Sequence, residues 1–346
     1  MNLLQKTISE IGGLDRDAME KAQARLDYLL KPPGSLGKLE DIARQFAGIT
    51  GSIKNGVEKK TILVMCADNG VVEEKVVSFP QSVSLLVAET MVGGISGVAV
   101  LARHAGATLK VVDIGLNGET KAAGIINRKI RKGTSNMAKG PAMSRDEAVR
   151  AIETGIEIAV QAIGEGADLL GTGEVGIGNT TTSSAVLYAF TGASLDRLVG
   201  RGAGLTDEGL ETKKKVIERA VKQNRPDQND PVDVVAKVGG FDIAGLAGCF
   251  LGAAARRKPI VIDGFISGAA AVVAVKLCPG AKDFMFTSHV SREPGTALIN
   301  EILGLAPMLD MNMRLGEGTG CALAFNIIEA ATRMMNEMGT FGDIGM

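Results

Sequence analysis

Short apolar runs that stop abruptly at turn residues recur along this chain and constrain its fold more than any other feature. TILVMCADNG (61–70), TLKVVDIGL (108–116), PIVIDGF (259–265), DFMFTSH (283–289) and the start of ADLLGTGEVGIGNTTTSSAVLYAF (167–190) each read as a strand buried on both faces. Helical segments separate them. SRDEAVRAIETGIEIAVQAIGEG (144–166) is amphipathic, with a Ser cap and acids in its first turn. Further helices are expected over residues 1–30, 82–104 and 321–337, and the Pro-Pro-Gly at 32–34 interrupts the helical start. Strands alternating with helices predict an α/β fold built on an open, mainly parallel sheet with helices on both faces.

In such sheets a ligand binds outside the carboxyl ends of the strands. The odd polar and glycine-rich pieces fall there: Asp68-Asn69-Gly70, Gly173–Thr180, Asp263-Gly264, Ser288–Gly295 and Gly316–Gly320. Five pieces in equivalent places predict one site assembled from many loops. Glu317 is a lone carboxylate among three glycines in RLGEGTG (314–320). It reads either as a polar turn before a helix or as a catalytic acid or base.

Composition excludes several classes of function. Net charge is −1, aromatics make up 3% and no basic run occurs, which argues against a nucleic-acid partner. The four cysteines are scattered and apolar in context, so they are expected to be reduced. With two histidines, a His-rich metal site is ruled out, and neither a metal nor a cofactor is expected. No secretory leader is visible, and the apolar stretches 243–255 and 266–275 are too short to span a bilayer. A cytoplasmic chain with no membrane partner is the expectation.

The stretch GTGEVGIGNTTTSSA (171–185) is the most informative. Gly171, Gly173 and Gly176 fit G-x-G-x-x-G after a strand, which suggests an NAD-dependent oxidoreductase, with Asp196 at the distance of a ribose ligand. The surroundings of Asp196 do not read as a strand. A P-loop is excluded because no lysine is present. What remains is a glycine turn leading Asn179, Thr180, Thr181 and Thr182 into a helix. It is either a phosphate site or a Thr-capped helix start. Among Lys213, Lys214 and Lys215, two suit a solvated face and one could reach an anion.

Read together, KPPGSLGKLE, GEVGIGNTTTSSA, GRGAGLTDEGL, GGFDIAGLAG, VIDGFISGAAA, SHVSREPG and LDMNMRLGEGTGCALAF resemble the nicotinate-nucleotide–dimethylbenzimidazole phosphoribosyltransferase family, in order, over about residues 31–335. The resemblance implies a Rossmann-like α/β unit over 61–320 and a small helical domain from 1–60 with 321–346. It implies a homodimer, with a heterodimer of paralogues as the alternative. The implied reaction moves the phosphoribosyl group of nicotinate mononucleotide onto a lower-ligand base, with inversion. The acceptor is dimethylbenzimidazole, a related benzimidazole, a purine or a phenol. Glu317 takes the place of the general base. Glu174 and Gly176 fall where ribose and nicotinate are handled. Gly178, Asn179 and Thr180 fall at the phosphate-binding helix start, with Gly202 and Gly204 nearby. Lys213 and Ser291 match ligand-contacting positions, and Leu315 with Ser78 lines the base pocket. This chain departs from the family at Asn69, at Thr296, and at Val87 or Ala88, where many members keep a Gln that serves the base.

Overall fold

A computed structural model describes residues 1–345 of the chain. Three helices come first: α1 (Leu3–Glu10), α2 (Arg16–Tyr28) and α3 (Lys38–Thr50). Then follow β1 (Lys60–Ala67), α4 (Val83–Val92), α5 (Gly97–His104), β2 (Ala107–Gly115), β3 (Ile125–Asn127), α6 (Arg145–Gly164) and β4 (Leu169–Val175). Five helices come next: α7 (Asn179–Thr191), α8 (Leu195–Leu198), α9 (Asp207–Asn224), α10 (Pro231–Val238) and α11 (Phe241–Ala255). The chain closes with β5 (Ile260–Ile262), α12 (Phe265–Leu277), β6 (Met285–Thr287), α13 (Thr296–Leu303) and α14 (Thr319–Glu337).

The six strands are parallel and lie in the order β3-β2-β1-β4-β5-β6. β1 is buried along its whole length and pairs on both sides, Val64 aligning with Val111 of β2 and Gly173 of β4. Its continuous apolar run is what a strand covered on both faces requires. The chain starts in the middle, winds outward to β3, then crosses back to β4. That reversal opens a crevice at the carboxyl ends of β1 and β4.

Helices cover both faces. α6 and α11 lie so close that a Cβ at Gly155 would come within 1.8 Å of the Gly245 carbonyl oxygen. The glycine is therefore a packing requirement rather than a turn. Helices from the two chain ends meet: Arg25 Nε donates to the Met335 carbonyl at 2.8 Å, and Asn336 Nδ2 donates to that of Asn55 at 2.7 Å. The hydrophobic core runs without a break from Leu26 and Phe46 through Phe325 to the sheet.

Three local expectations change. Residues 1–30 form two helices, because Asp15 caps the second by accepting the Ala18 N–H. The segment after residue 116, where no strand is expected, contains β3, a three-residue edge strand too short to carry a period. The 82–104 segment is long and apolar enough by length and composition to cross a membrane. It folds instead as α4 and α5, parted by a Gly93–Ser96 turn in which Gly94 has φ +79°.

Candidate active site

The loop before α14 defines the site. Gly316, Glu317 and Gly318 have φ values of +84°, +64° and +103°, three left-handed residues in succession. For a glutamate this conformation costs on the order of 1 kcal/mol or more. The loop crosses the end of β4 at close range: a Cβ at Gly173 would meet the Glu317 carbonyl oxygen at 2.2 Å. The Glu317 carboxylate reaches to α5, where Oε2 accepts the Val98 N–H at 3.1 Å.

This geometry removes the dinucleotide reading. Gly171 and Gly173 lie inside β4 and not in a turn, and a side chain at Gly171 would strike Cys321 and Phe325 at 2.8 Å. These glycines admit α14 and its loop. Asp196 sits exposed on α8, paired with Lys214 at 2.6 Å. No strand brings it to the crevice.

A cavity of about 570 Å³ opens at the strand ends. It gathers Leu315, Gly316 and Glu317 from one loop, Val87 from α4, Glu174, Gly176, Asn179 and Thr180 from the β4–α7 connection, and Gly202 and Ser291 from two others. Val87, and not the buried Ala88, faces this space. Ile177, Phe265, Ile266, His289, Glu293 and Arg314 also border it. Glu293 is one of the polar groups that SHVSREPG offers after a strand, and His289 reads from sequence as a core or supporting group; the other four have no role in the sequence reading, although each stands in or beside a strand-end motif already noted.

A smaller cavity of about 80 Å³ adjoins the first across the turn at Gly176–Thr180 and is bordered by Ser78, Gly178, Gly202 and Lys213. Ser78 thus lies with Lys213 rather than with Leu315, because the segment after β1 runs over the start of α7. Lys213 is fully buried and donates to Thr180 Oγ1 at 2.9 Å and to the Gly200 carbonyl at 3.1 Å. Burial pushes its pKa down to about 8, and Glu293 acts against that. Lys214 is held by Asp196 and Glu211. α7 begins at Gly178 in the left-handed region with no side-chain cap, so the Thr-capped reading does not hold. Gly204 borders neither space. It lines a third cavity with Arg201 and Arg292.

The carboxyls of the site are all shifted upward. Burial raises the Glu317 pKa, and the Val98 N–H works against it. Burial, then the charges of Asp242 and Asp263, push Glu174 up to about 8. Glu174 accepts from Asn179 Nδ2, and that bond together with the nearby Glu317 N–H acts against the rise. Near pH 7 it is a neutral acid, which lessens its repulsion of a phosphate nearby. Burial also lifts Asp242 to about 7. Burial thus raises all three acids, and strongly shifted acids in a cleft are a mark of functional sites. Asn69 and Thr296 are buried and border neither of the two adjoining cavities. Among the described residues no cluster of His, Cys, Asp or Glu could hold a metal ion.

Comparison with known proteins identifies the family. A family model described as Phosphoribosyltransferase matches residues 11–346. A nicotinate-nucleotide–dimethylbenzimidazole phosphoribosyltransferase of Ruminiclostridium cellulolyticum is 55% identical over 339 residues, covering 98% of this chain and 96% of that protein. One from Acetivibrio thermocellus is 53% identical, covering 99% and 97%. The crystal structure of CobT from Thermus thermophilus superposes with a TM-score of 0.92 at 40% identity, covering 95% of this chain and 99% of that one. On these matches over nearly its whole length, the chain belongs to the nicotinate-nucleotide–dimethylbenzimidazole phosphoribosyltransferase family.

Proposed function

We propose that this chain transfers the phosphoribosyl group of nicotinate mononucleotide to a ring nitrogen of a benzimidazole-type base, releasing nicotinate and an α-ribotide. The observation that carries the reading is a half-buried carboxylate, Glu317, held at the rim of an apolar cavity with its pKa raised. The C1′–N bond to nicotinate breaks as the C1′–N bond to the acceptor forms on the opposite face, which inverts the anomeric carbon. Nicotinate leaves from a cationic pyridinium and needs no acid. The acceptor's N–H proton passes to Glu317, the single general base the step requires. The ionised carboxylate also stabilises the oxocarbenium-like charge that develops.

Lys213, with Thr180, Gly178 and Gly202 at the start of α7, is assigned the phosphate. Glu174, Gly176, Asn179 and Ser291 are assigned the ribose and nicotinate. Leu315 and Val87 flank the acceptor base, and Val87 offers it no hydrogen bond. Ser78 is assigned to the phosphate side. Gly204 keeps an indirect place, through the turn that presents Gly202.

We assign residues 1–60 with 321–346 to a small helical unit beside the α/β unit 61–320, supported by the packing of α3 on both α2 and α14. We also assign a homodimer through α4 and α5, supported by Leu86, Ile95 and Val100, which are 58%, 76% and 48% exposed. Sedimentation of the purified chain checks the latter.

The activity is tested by incubating the chain with nicotinate mononucleotide and a panel of benzimidazoles, purines and phenols. The expected product is an α-ribotide, identified by chromatography and its anomeric NMR coupling. Folded protein that gives no ribotide with any base overturns the proposal.

A further inference from the structure

The loop that carries Glu317 turns its backbone N–H groups inward onto two carboxyls at neighbouring strand ends. The Glu317 N–H lies near enough to the Glu174 carboxyl at the end of β4 to act against the rise of its pKa. The Gly318 N–H donates to Asp263 Oδ2 at 3.1 Å, and the Gly320 N–H to Oδ1 at 2.7 Å. Successive N–H groups in a left-handed turn form a concavity that suits an anion. Here the anion is one of the chain's own side chains.

Asp263 is well fixed for this task. It is 1% exposed and follows β5 directly. Its own N–H donates to Ser267 Oγ at 3.2 Å, and its carbonyl accepts from Ser288 Oγ at 2.6 Å. Ser267 Oγ in turn lies 2.6 Å from Thr172 Oγ1. Asp263 does not border the cavity, so it reaches neither donor nor acceptor. What it reaches is the backbone on the far side of Glu317.

We propose that Asp263 is the positioning residue of the site: by binding the Gly318 and Gly320 N–H groups it holds Glu317 in the left-handed conformation that presents its carboxylate to the cavity. The inference rests on the assignment of Glu317 as the base. The Val98 N–H and the Thr319 hydroxyl, which donates to the Gly316 carbonyl at 2.8 Å, also hold the turn, but only Asp263 binds it through two backbone N–H groups. Without that clamp the turn relaxes and carries the carboxylate away from the reacting nitrogen. Displacement of about 1 Å suffices to cost roughly a hundredfold in rate.

Asp263 also acts on Glu317 through its charge. Burial is the main cause of the raised Glu317 pKa, the Val98 N–H opposes it, and the Asp263 charge adds to it. The other titratable groups that face the loop are Glu174 from β4 and His289 from the segment after β6. A mere helix cap would stabilise α14 without either effect.

The test compares wild type with Asp263→Asn, which keeps the volume and one acceptor oxygen but loses the charge. The expected result is a fall in kcat of about a hundredfold, with KM for nicotinate mononucleotide changed less than about threefold. A kcat within about twofold of wild type overturns the proposal, as does a loss carried wholly by KM. Should the variant not fold, Ser267→Ala removes the acceptor of the Asp263 N–H while leaving the charge. It is expected to lower kcat several-fold, and an unchanged kcat overturns the clamp. A crystal structure of Asp263→Asn in which Glu317 keeps its positive φ also overturns it, whether or not wild type turns over. That outcome separates failure of the clamp from failure of the proposed activity.

Discussion

Glu317 and Val98 meet at the mouth of the cavity, where the carboxylate Oε2 accepts the first-turn N–H of α5 at 3.1 Å. Ser96 covers the neighbouring Ala99 N–H at 3.2 Å, so the start of α5 is capped by two side chains, one of them distant in sequence. Replacing Glu317 by Gln keeps an oxygen for Val98 and removes the base. Turnover should fall by roughly 10²–10⁴, with KM for the nucleotide little changed. Steady-state kinetics decide this, and a rate equal to wild type removes the assignment.

Glu174 ties stability to pH. Its folded pKa of about 8 lies above its ordinary 4.5, so the folded chain binds the extra proton between those values. This group's contribution is therefore full below pH 4.5 and is lost as pH rises towards 8. The loss is at most about 1.4 kcal/mol per pH unit. Glu174→Gln should flatten that slope in urea titrations at about pH 5 to 8, whatever it does to the absolute stability. An identical slope in variant and wild type contradicts the neutral-acid description.

Lys213 gives the opposite sign. Its folded pKa is depressed from 10.5 to about 8, so the unfolded chain binds more protons in that window and stability rises with pH across it. Lys213→Met should lose this rise and gain some stability, since a buried charge is replaced by an apolar chain of similar length. It should also lower kcat/KM for nicotinate mononucleotide roughly ten- to hundredfold, the scale of a charged hydrogen bond. Unaltered kcat/KM would show that the phosphate lies elsewhere.

Gly173→Ala tests the close approach of loop and strand. The new methyl would overlap the Glu317 carbonyl oxygen, which a Cβ there meets at 2.2 Å. Overpacking of this kind costs about 1–3 kcal/mol, and the displaced loop should lose at least about tenfold in kcat through misplacement of the base. Thermal melting and kinetics report the two effects separately. Normal values for both would mean that the loop can lift without consequence.

Val87→Gln places an amide on the wall that faces Leu315 and Glu317. One added hydrogen bond is worth about 0.5–1.5 kcal/mol. The variant should favour bases with a second ring nitrogen over phenols by a few-fold to about tenfold relative to wild type. Competition assays with paired acceptors measure the ratio, and no change in it excludes position 87 as a specificity wall.

The sequence by itself determined five of the six strands, their parallel α/β arrangement and the loops where chemistry gathers. Runs such as TILVMCADNG can be satisfied only by burial on both faces, and glycine-rich pieces at their ends can serve only close approach or turns. It also carried the family, through motifs whose order is as specific as their content. Tertiary structure alone decided which motif residues share a cavity. Ser78 went to the Lys213 side, Gly204 went outside both adjoining cavities, and Val87 rather than Ala88 turned inward, because side-chain direction depends on how α4 and the loops pack. Gly171 and Gly173 fit a dinucleotide pattern by spacing, yet they serve contacts with α14 and its loop, far along the chain. Asp263 looked like a solitary acid because its partners, the N–H groups of Gly318 and Gly320, lie 55 and 57 positions away. Backbone donors carry no mark in a sequence, and only the fold brings them onto a carboxylate.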